Sequence, residues 1–142
     1  METIKIAYEN LSPRIVTDVF VGLGKGLKYV KCRALWDTGS SRTSISEGIV
    51  SDLELESSET SDIISLTGES RPFIYRVCIG FPDVQKCFID VVVDGGCPTE
   101  LLKGKIDEED IFDVIIGMDI ISQGDFRLKP EDGKHIFTFD LQ

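Results

Sequence analysis

The chain has a single histidine, His135, and four cysteines, Cys32, Cys78, Cys87 and Cys97, none of them in a C-x-x-C pair. Zinc and iron–sulfur centres draw on clustered Cys and His, so neither a metal nor a cofactor is expected. A Ser-His or Cys-His nucleophile would have only His135 to rely on, and no G-x-S-x-G elbow is present. A phosphate-binding glycine loop is missing too, which argues against aspartyl-phosphate chemistry. No apolar run approaches the ~18 residues of a membrane helix. Residues 1–10 lack the apolar stretch of an export signal, so a cytoplasmic protein away from membranes is expected. Positive charge is also short. The formal net charge is -10, which repels phosphate backbones, so nucleic acid is not an expected partner.

At 142 residues the chain suits one domain, 1–142. Val and Ile are abundant and Ala nearly absent, which favours an all-β fold with one or two short helices. Strands are predicted over residues 3–8 and 15–23, then over 29–36, which returns antiparallel after the glycine-rich turn 22–26. Within 29–36, Val30, Cys32, Ala34 and Trp36 share one face, and Asp37 stands at the strand's end. Residues 43–46 read as a brief strand and 47–53 as a helix capped by Ser44 or Ser46, followed by a solvated Ser/Glu-rich connection to 62.

A hairpin of 63–67 and 72–79 turns at Gly68-Glu69-Ser70-Arg71. A strand over 84–93 follows, its unbroken 88–93 run predicting burial on both faces. The cysteines read as packed, reduced thiols, with Cys78 and Cys87 the one pair placed to face each other across a hairpin and bridge on oxidation. Residues 94–110 read as a solvated loop, 112–121 as an apolar strand that stops at Gly117 and restarts with helical spacing, and 125–140 as a closing hairpin turning at 130–133.

Ala34-Leu35-Trp36 runs straight into Asp37-Thr38-Gly39-Ser40-Ser41. A bare Asp-Thr-Gly triplet is weak evidence; its surroundings carry the case. It ends a strand, two serines follow, and a second apolar strand end, Val114-Ile115-Ile116-Gly117-Met118-Asp119, lies downstream with a hairpin between. In these two motifs and their order, the sequence resembles the retropepsin-like aspartic proteases, single-lobe relatives of pepsin, and looks most like their retroelement-type and bacterial members.

The resemblance implies a closed β-barrel or sandwich with a flap hairpin, and an aspartic endopeptidase. Hydrolysis by water needs one group to take a proton and another to give one, which two carboxyls sharing a proton can do. Within the chain, Asp94 precedes two glycines without a hydroxyl neighbour and Asp119 follows a glycine, so both read as turn or support residues. The second carboxylate is therefore expected from Asp37 of another copy, making a homodimer.

By the same resemblance Asp37 is catalytic, Thr38 holds the two turns together and Gly39 lets substrate approach. Ser40, with a hydroxyl for the outer carboxylate oxygen, and Ser41 belong to the binding surface for an extended polypeptide. The flap tip, Thr67, Gly68, Glu69 and Ser70, closes over it. Ile116, Gly117 and Asp119 support the site. Two places depart from the viral pattern: Ser41 and Met118 stand where an acidic residue and an arginine pair, and Asp119 with Arg42 or Thr43 is the expected substitute. Viral relatives interleave their terminal strands between subunits, whereas here the 126–139 hairpin is long enough to seal the sheet within one chain. The rival reading is a catalytically silent module of the same fold that dimerises or binds peptides.

Overall fold

Alternating apolar and polar residues put one face of each early strand inside, and strands form where that alternation predicts: β1 (Glu2–Tyr8), β2 (Val16–Gly22) and β3 (Tyr29–Trp36). The computed structural model describes residues 2–8, 14–24, 28–57, 59–60, 73–82 and 84–141. The remaining strands are β4 (Ser44–Ile45), β5 (Glu59–Thr60), β6 (Phe73–Phe81), β7 (Val84–Asp94), β8 (Val114–Ile116), β9 (Gly124–Glu131) and β10 (Lys134–Leu141). Among the described residues three short α-helices, where one or two were expected, and a 3-10 turn at Glu108–Asp110 interrupt them: α1 (Glu47–Asp52), α2 (Thr99–Leu102) and α3 (Met118–Ile121).

Six strands close a barrel in the order β2-β3-β8-β4-β7-β6, with β6 returning to β2 through Phe20↔Gly80, Val21↔Ile79 and Gly22↔Cys78. The fold is all-β, as its composition predicts. β8 lies between β3, to which it runs parallel, and β4, to which it is antiparallel. The turn that joins β3 to β4 must therefore pass over the end of β8. A separate sheet, β1-β10-β9, covers the barrel. Its Ile4, Phe137 and Phe139 pack into the same core as Val19, Ile79, Val114 and Ile116, and the Tyr8 hydroxyl donates to Val16 O at 3.0 Å.

Trp36 is the hinge of this packing. Its ring lies 4.9 Å from Phe139, 5.1 Å from Phe137 and 5.7 Å from Phe81, and its Nε1 donates to Thr17 Oγ1 at 2.9 Å. A buried indole with its N–H satisfied fixes the end of β3, and Asp37 is the next residue.

Several expectations change. The β7 strand is not buried on both faces: Asp90 and Val92 are exposed while Ile89 and Val93 are buried, because only one side of that strand faces the barrel interior. Cys78 lies opposite Asp90, and its thiol donates to Asp90 Oδ1 at 2.8 Å. The register therefore sets Asp90, and not Cys87, opposite Cys78. Ser46, not Ser44, caps α1, accepting from Ile49 N at 3.3 Å. The closing hairpin turns on two residues, Asp132 (φ 51) and Gly133 (φ 77), the positive pair that a two-residue hairpin requires. Pro130 stays within β9, tolerated because that strand is at the sheet's edge. The first hairpin arm expected over 63–67, and the tip, lie outside the described residues. Of that region, Glu59↔Ile74 and Thr60↔Phe73 pair antiparallel on either side of 61–72.

The segment between β7 and β8 is less solvated than its polarity suggests. Cys97 and Thr99 are buried, with Thr99 Oγ1 donating to Phe112 O at 2.7 Å. Burial, reinforced by the Asp113 carboxylate, pushes the thiols of Cys32 and Cys97 up to about 12. Unfolded thiols ionise near ~8.5, so stability held below that pH is lost as pH rises toward the folded value. Both thiols should resist alkylation at pH 8. Denaturant midpoints should fall between pH 8 and 10.5, and fall less once both residues are alanine. An equal fall in the two proteins would contradict this origin.

Candidate active site

The turn at residues 37–40 is held by backbone before any side chain acts. Asp37 N donates to Ile116 O at 2.9 Å, Ser40 N to Asp37 O at 3.1 Å, and Met118 N to Ser40 O at 2.7 Å. The end of β8 and the start of α3 thus grip both sides of the turn. Gly117 makes that grip possible: a Cβ there would sit 2.7 Å from Arg42 C and 2.8 Å from Ser40 O, both backbone atoms that cannot yield. The apolar-apolar-glycine pattern of Ile115, Ile116 and Gly117 therefore has a steric cause.

Asp37 is half-buried, and its Oδ1 accepts from Gly39 N at 2.8 Å. Thr38, Gly39 and Ser41 are exposed, Ser40 is half-buried, and Ile116 and Gly117 are buried. The Ser40 hydroxyl, expected on the outer oxygen of Asp37, donates instead to Arg42 O at 2.9 Å. It braces the turn from within. Thr67, Gly68, Glu69 and Ser70 lie outside the described residues.

Of Arg42 and Thr43, Asp119 takes Thr43 as its partner. Its two oxygens accept from Thr43 N at 2.9 Å and Thr43 Oγ1 at 2.7 Å, while Thr43 Oγ1 accepts from Gly117 N at 3.1 Å. Arg42 turns the other way and meets Asp94 at 3.2 Å; that carboxylate is buried, and Asp94 N donates to Thr43 O. A further pair, Ser46 Oγ to Asp113 Oδ1 at 2.8 Å, ties β4 to the entry of β8. The Arg42–Asp94 and Ser46–Asp113 pairs escaped the sequence reading. Asp94, placed after an apolar strand, was the one signal available for the first. With Asp94 and Asp119 so engaged, Asp37 is the one carboxylate that the described residues bring to the turn.

A cleft of about 730 Å³ opens between α1, the start of β6 and α2, lined by Phe73, Tyr75, Gly95, Leu101 and Asp113 among others. No residue of the turn lines it. Among the described residues no group of three or more His, Cys, Asp or Glu is placed to hold a metal, and no helix is long and apolar enough to cross a membrane.

A crystal structure of a retropepsin-like aspartic protease from Rickettsia conorii is similar to this chain, with a TM-score of 0.56 at 15% sequence identity, covering 99% of this chain and 95% of that one. No protein-family model and no curated protein matches the sequence. The chain has a retropepsin-like fold.

Proposed function

We propose that the protein is an aspartic endopeptidase whose active form is a homodimer, with one Asp37 from each copy at the two-fold axis. The observation that carries this reading is the Asp37-Thr38-Gly39 turn itself, stapled by backbone bonds to β8 of a retropepsin-like barrel, with Thr38 and Gly39 exposed. Two carboxylates brought close cannot both ionise easily, so one keeps its proton. The ionised member takes a proton from water as the water attacks the peptide carbonyl, and the protonated member gives its proton to the carbonyl oxygen. Thr38 bonds across the axis. Gly39, Ser40 and Ser41 border an extended polypeptide, and Thr67, Gly68, Glu69 and Ser70 cover it, excluding water. Thr43 and Asp119 hold the turn still while this happens.

Incubating the chain with an unstructured protein from pH 3.5 to 9 tests the reading. Cleavage is expected on the acidic side, where one carboxyl of the pair stays protonated, and a hydroxyl-bearing transition-state mimic should block it. No cleavage at concentrations where sedimentation shows a dimer would leave the peptide-binding module in its place, and a rate still rising at pH 9 would contradict the carboxyl pair.

A further inference from the structure

The cleft between α1, α2 and the start of β6 is shaped by backbone. Cys97 N donates to Ile45 O at 3.2 Å and Gly95 N to Phe73 O at 2.9 Å, so the loop after β7 is bound both to the strand entering α1 and to the start of β6. Gly95 sets the aromatic wall, because a Cβ there would stand 2.7 Å from Tyr75 Cε2. The Tyr75 ring therefore packs directly on the loop backbone.

The lining selects its occupant. Phe73 is 53% and Leu101 68% exposed, the two highest values among the large exposed apolar side chains of the described residues, and both face this one cleft. Tyr75 is only 8% exposed, yet its hydroxyl has no hydrogen-bond partner among the described residues and is not closed off from solvent. The cleft that its side chain lines is where a partner can reach it. Glu47, Glu100 and Asp113 bring carboxylates, while Lys103, the one cation of the lining among the described residues, is paired with Glu100 at 3.0 Å. Asp113 uses Oδ1 on the Ser46 hydroxyl, and the Glu47 carboxylate has no partner among the described residues.

An anion would be repelled here, and a purely apolar guest would strip water from the carboxylates and the phenol without giving a bond in return. A lysine or arginine beside an apolar residue meets every feature. Its stem and its neighbour lie on Phe73 and Leu101, its cationic head faces the rings and the carboxylates, and the Tyr75 oxygen accepts from it. At about 730 Å³ the space exceeds what one side chain fills, so adjoining residues of a polypeptide enter with it. We propose that this cleft is a docking site, separate from the 37–41 turn, for a basic and apolar segment of a polypeptide. The formal charge of -10 draws such a segment in at long range. The site stands whether or not the turn cleaves.

Fluorescence anisotropy at pH 7 tests the proposal with a short dye-labelled peptide that carries two arginines beside a phenylalanine. It should bind at least ~10-fold more tightly than its counterpart with glutamine in both arginine positions, and the advantage should shrink as salt rises. Equal binding of the two peptides, or no binding of either, overturns the proposal. Glu47→Lys and, separately, Phe73→Ala should each weaken binding about 5- to 30-fold; both side chains are exposed, so neither change opens the core. Glu131→Lys makes the same charge change at an exposed position of β9, in the separate sheet, and should weaken binding less than ~2-fold. Equal losses from Glu47→Lys and Glu131→Lys would reduce the attraction to net charge and overturn the site. Asp37→Asn should leave the affinity unchanged, and a loss there would place the peptide on the turn instead. Tight, Glu47-sensitive binding by a protein that cleaves nothing defeats the catalytic reading and leaves the docking site standing.

Discussion

Asp37→Asn should lower kcat for peptide cleavage by about a thousandfold or more, within the ~10²–10⁴ range of a general acid–base group that also forms half of a shared-proton pair. Stability should move little, by about 0.5 kcal/mol or less, because the carboxylate is half-buried and the amide oxygen can still accept from Gly39 N. The amide is nearly isosteric with the acid, so the dimer should persist, but it can neither take a proton from water nor return one. Sedimentation, calorimetry and a cleavage assay on one preparation separate these effects. Full activity in the variant would remove Asp37 from the chemistry. Loss of activity together with loss of the dimer would move its role from catalysis to assembly.

The strands that frame the turn were legible because each signal is local. β2 and β3 alternate, Trp36 and Asp37 sit at the end of one strand, and Gly117 halts another before α3 restarts with helical spacing. The two sides of β7 were not legible. A run of Ile, Asp and Val reads as fully buried, yet the six-strand barrel gives each strand only one interior face, and the outward Val92 stays exposed. The loop after β7 was misread for the opposite reason. Its polarity suggests solvent, but Cys97 and Phe112 form a small second core with Val16, a contact that only the closed barrel brings together.

Partners in the site divide the same way. Asp37 could be named from a triplet, whereas the choice between Arg42 and Thr43 as the mate of Asp119 depends on which side of β8 each one reaches. β4 runs antiparallel to β8 with Ser44 opposite Ile115, so Thr43 comes level with the end of β8 and buries its side chain over Gly117. Arg42, one residue earlier, points away toward Asp94. A one-residue difference in register thus sends neighbouring side chains to opposite duties.

That placement makes Asp119→Ala the most destabilising substitution expected near the turn. Thr43 is fully buried, and the mutation strips acceptors from both its N–H and its hydroxyl at once. Each buried donor left unmade costs about 1–3 kcal/mol, so a total on the order of 3–5 kcal/mol is expected. For a domain of this size that lowers Tm by roughly 10 °C or more. Ile120 N also loses its bond to Asp119 Oδ1 but keeps Gly117 O at 3.1 Å, so the helix start should survive. Asp119→Asn retains one acceptor and should recover about half of the loss.

The damage should extend to catalysis in the fraction that still folds. Thr43 Oγ1 holds Gly117 N, Gly117 follows Ile116, and Ile116 O is the acceptor for Asp37 N. Loosening the first of these lets the carboxylate drift, and misplacement by about 1 Å can cost ~100-fold in rate. Calorimetry and cleavage at a temperature well below the variant's Tm read the two effects apart. An unchanged Tm would show that Thr43 finds other acceptors and that Asp119 does not buttress the turn. A lowered Tm with full kcat in the folded fraction would confine Asp119 to stability and leave the position of Asp37 to the backbone bonds alone.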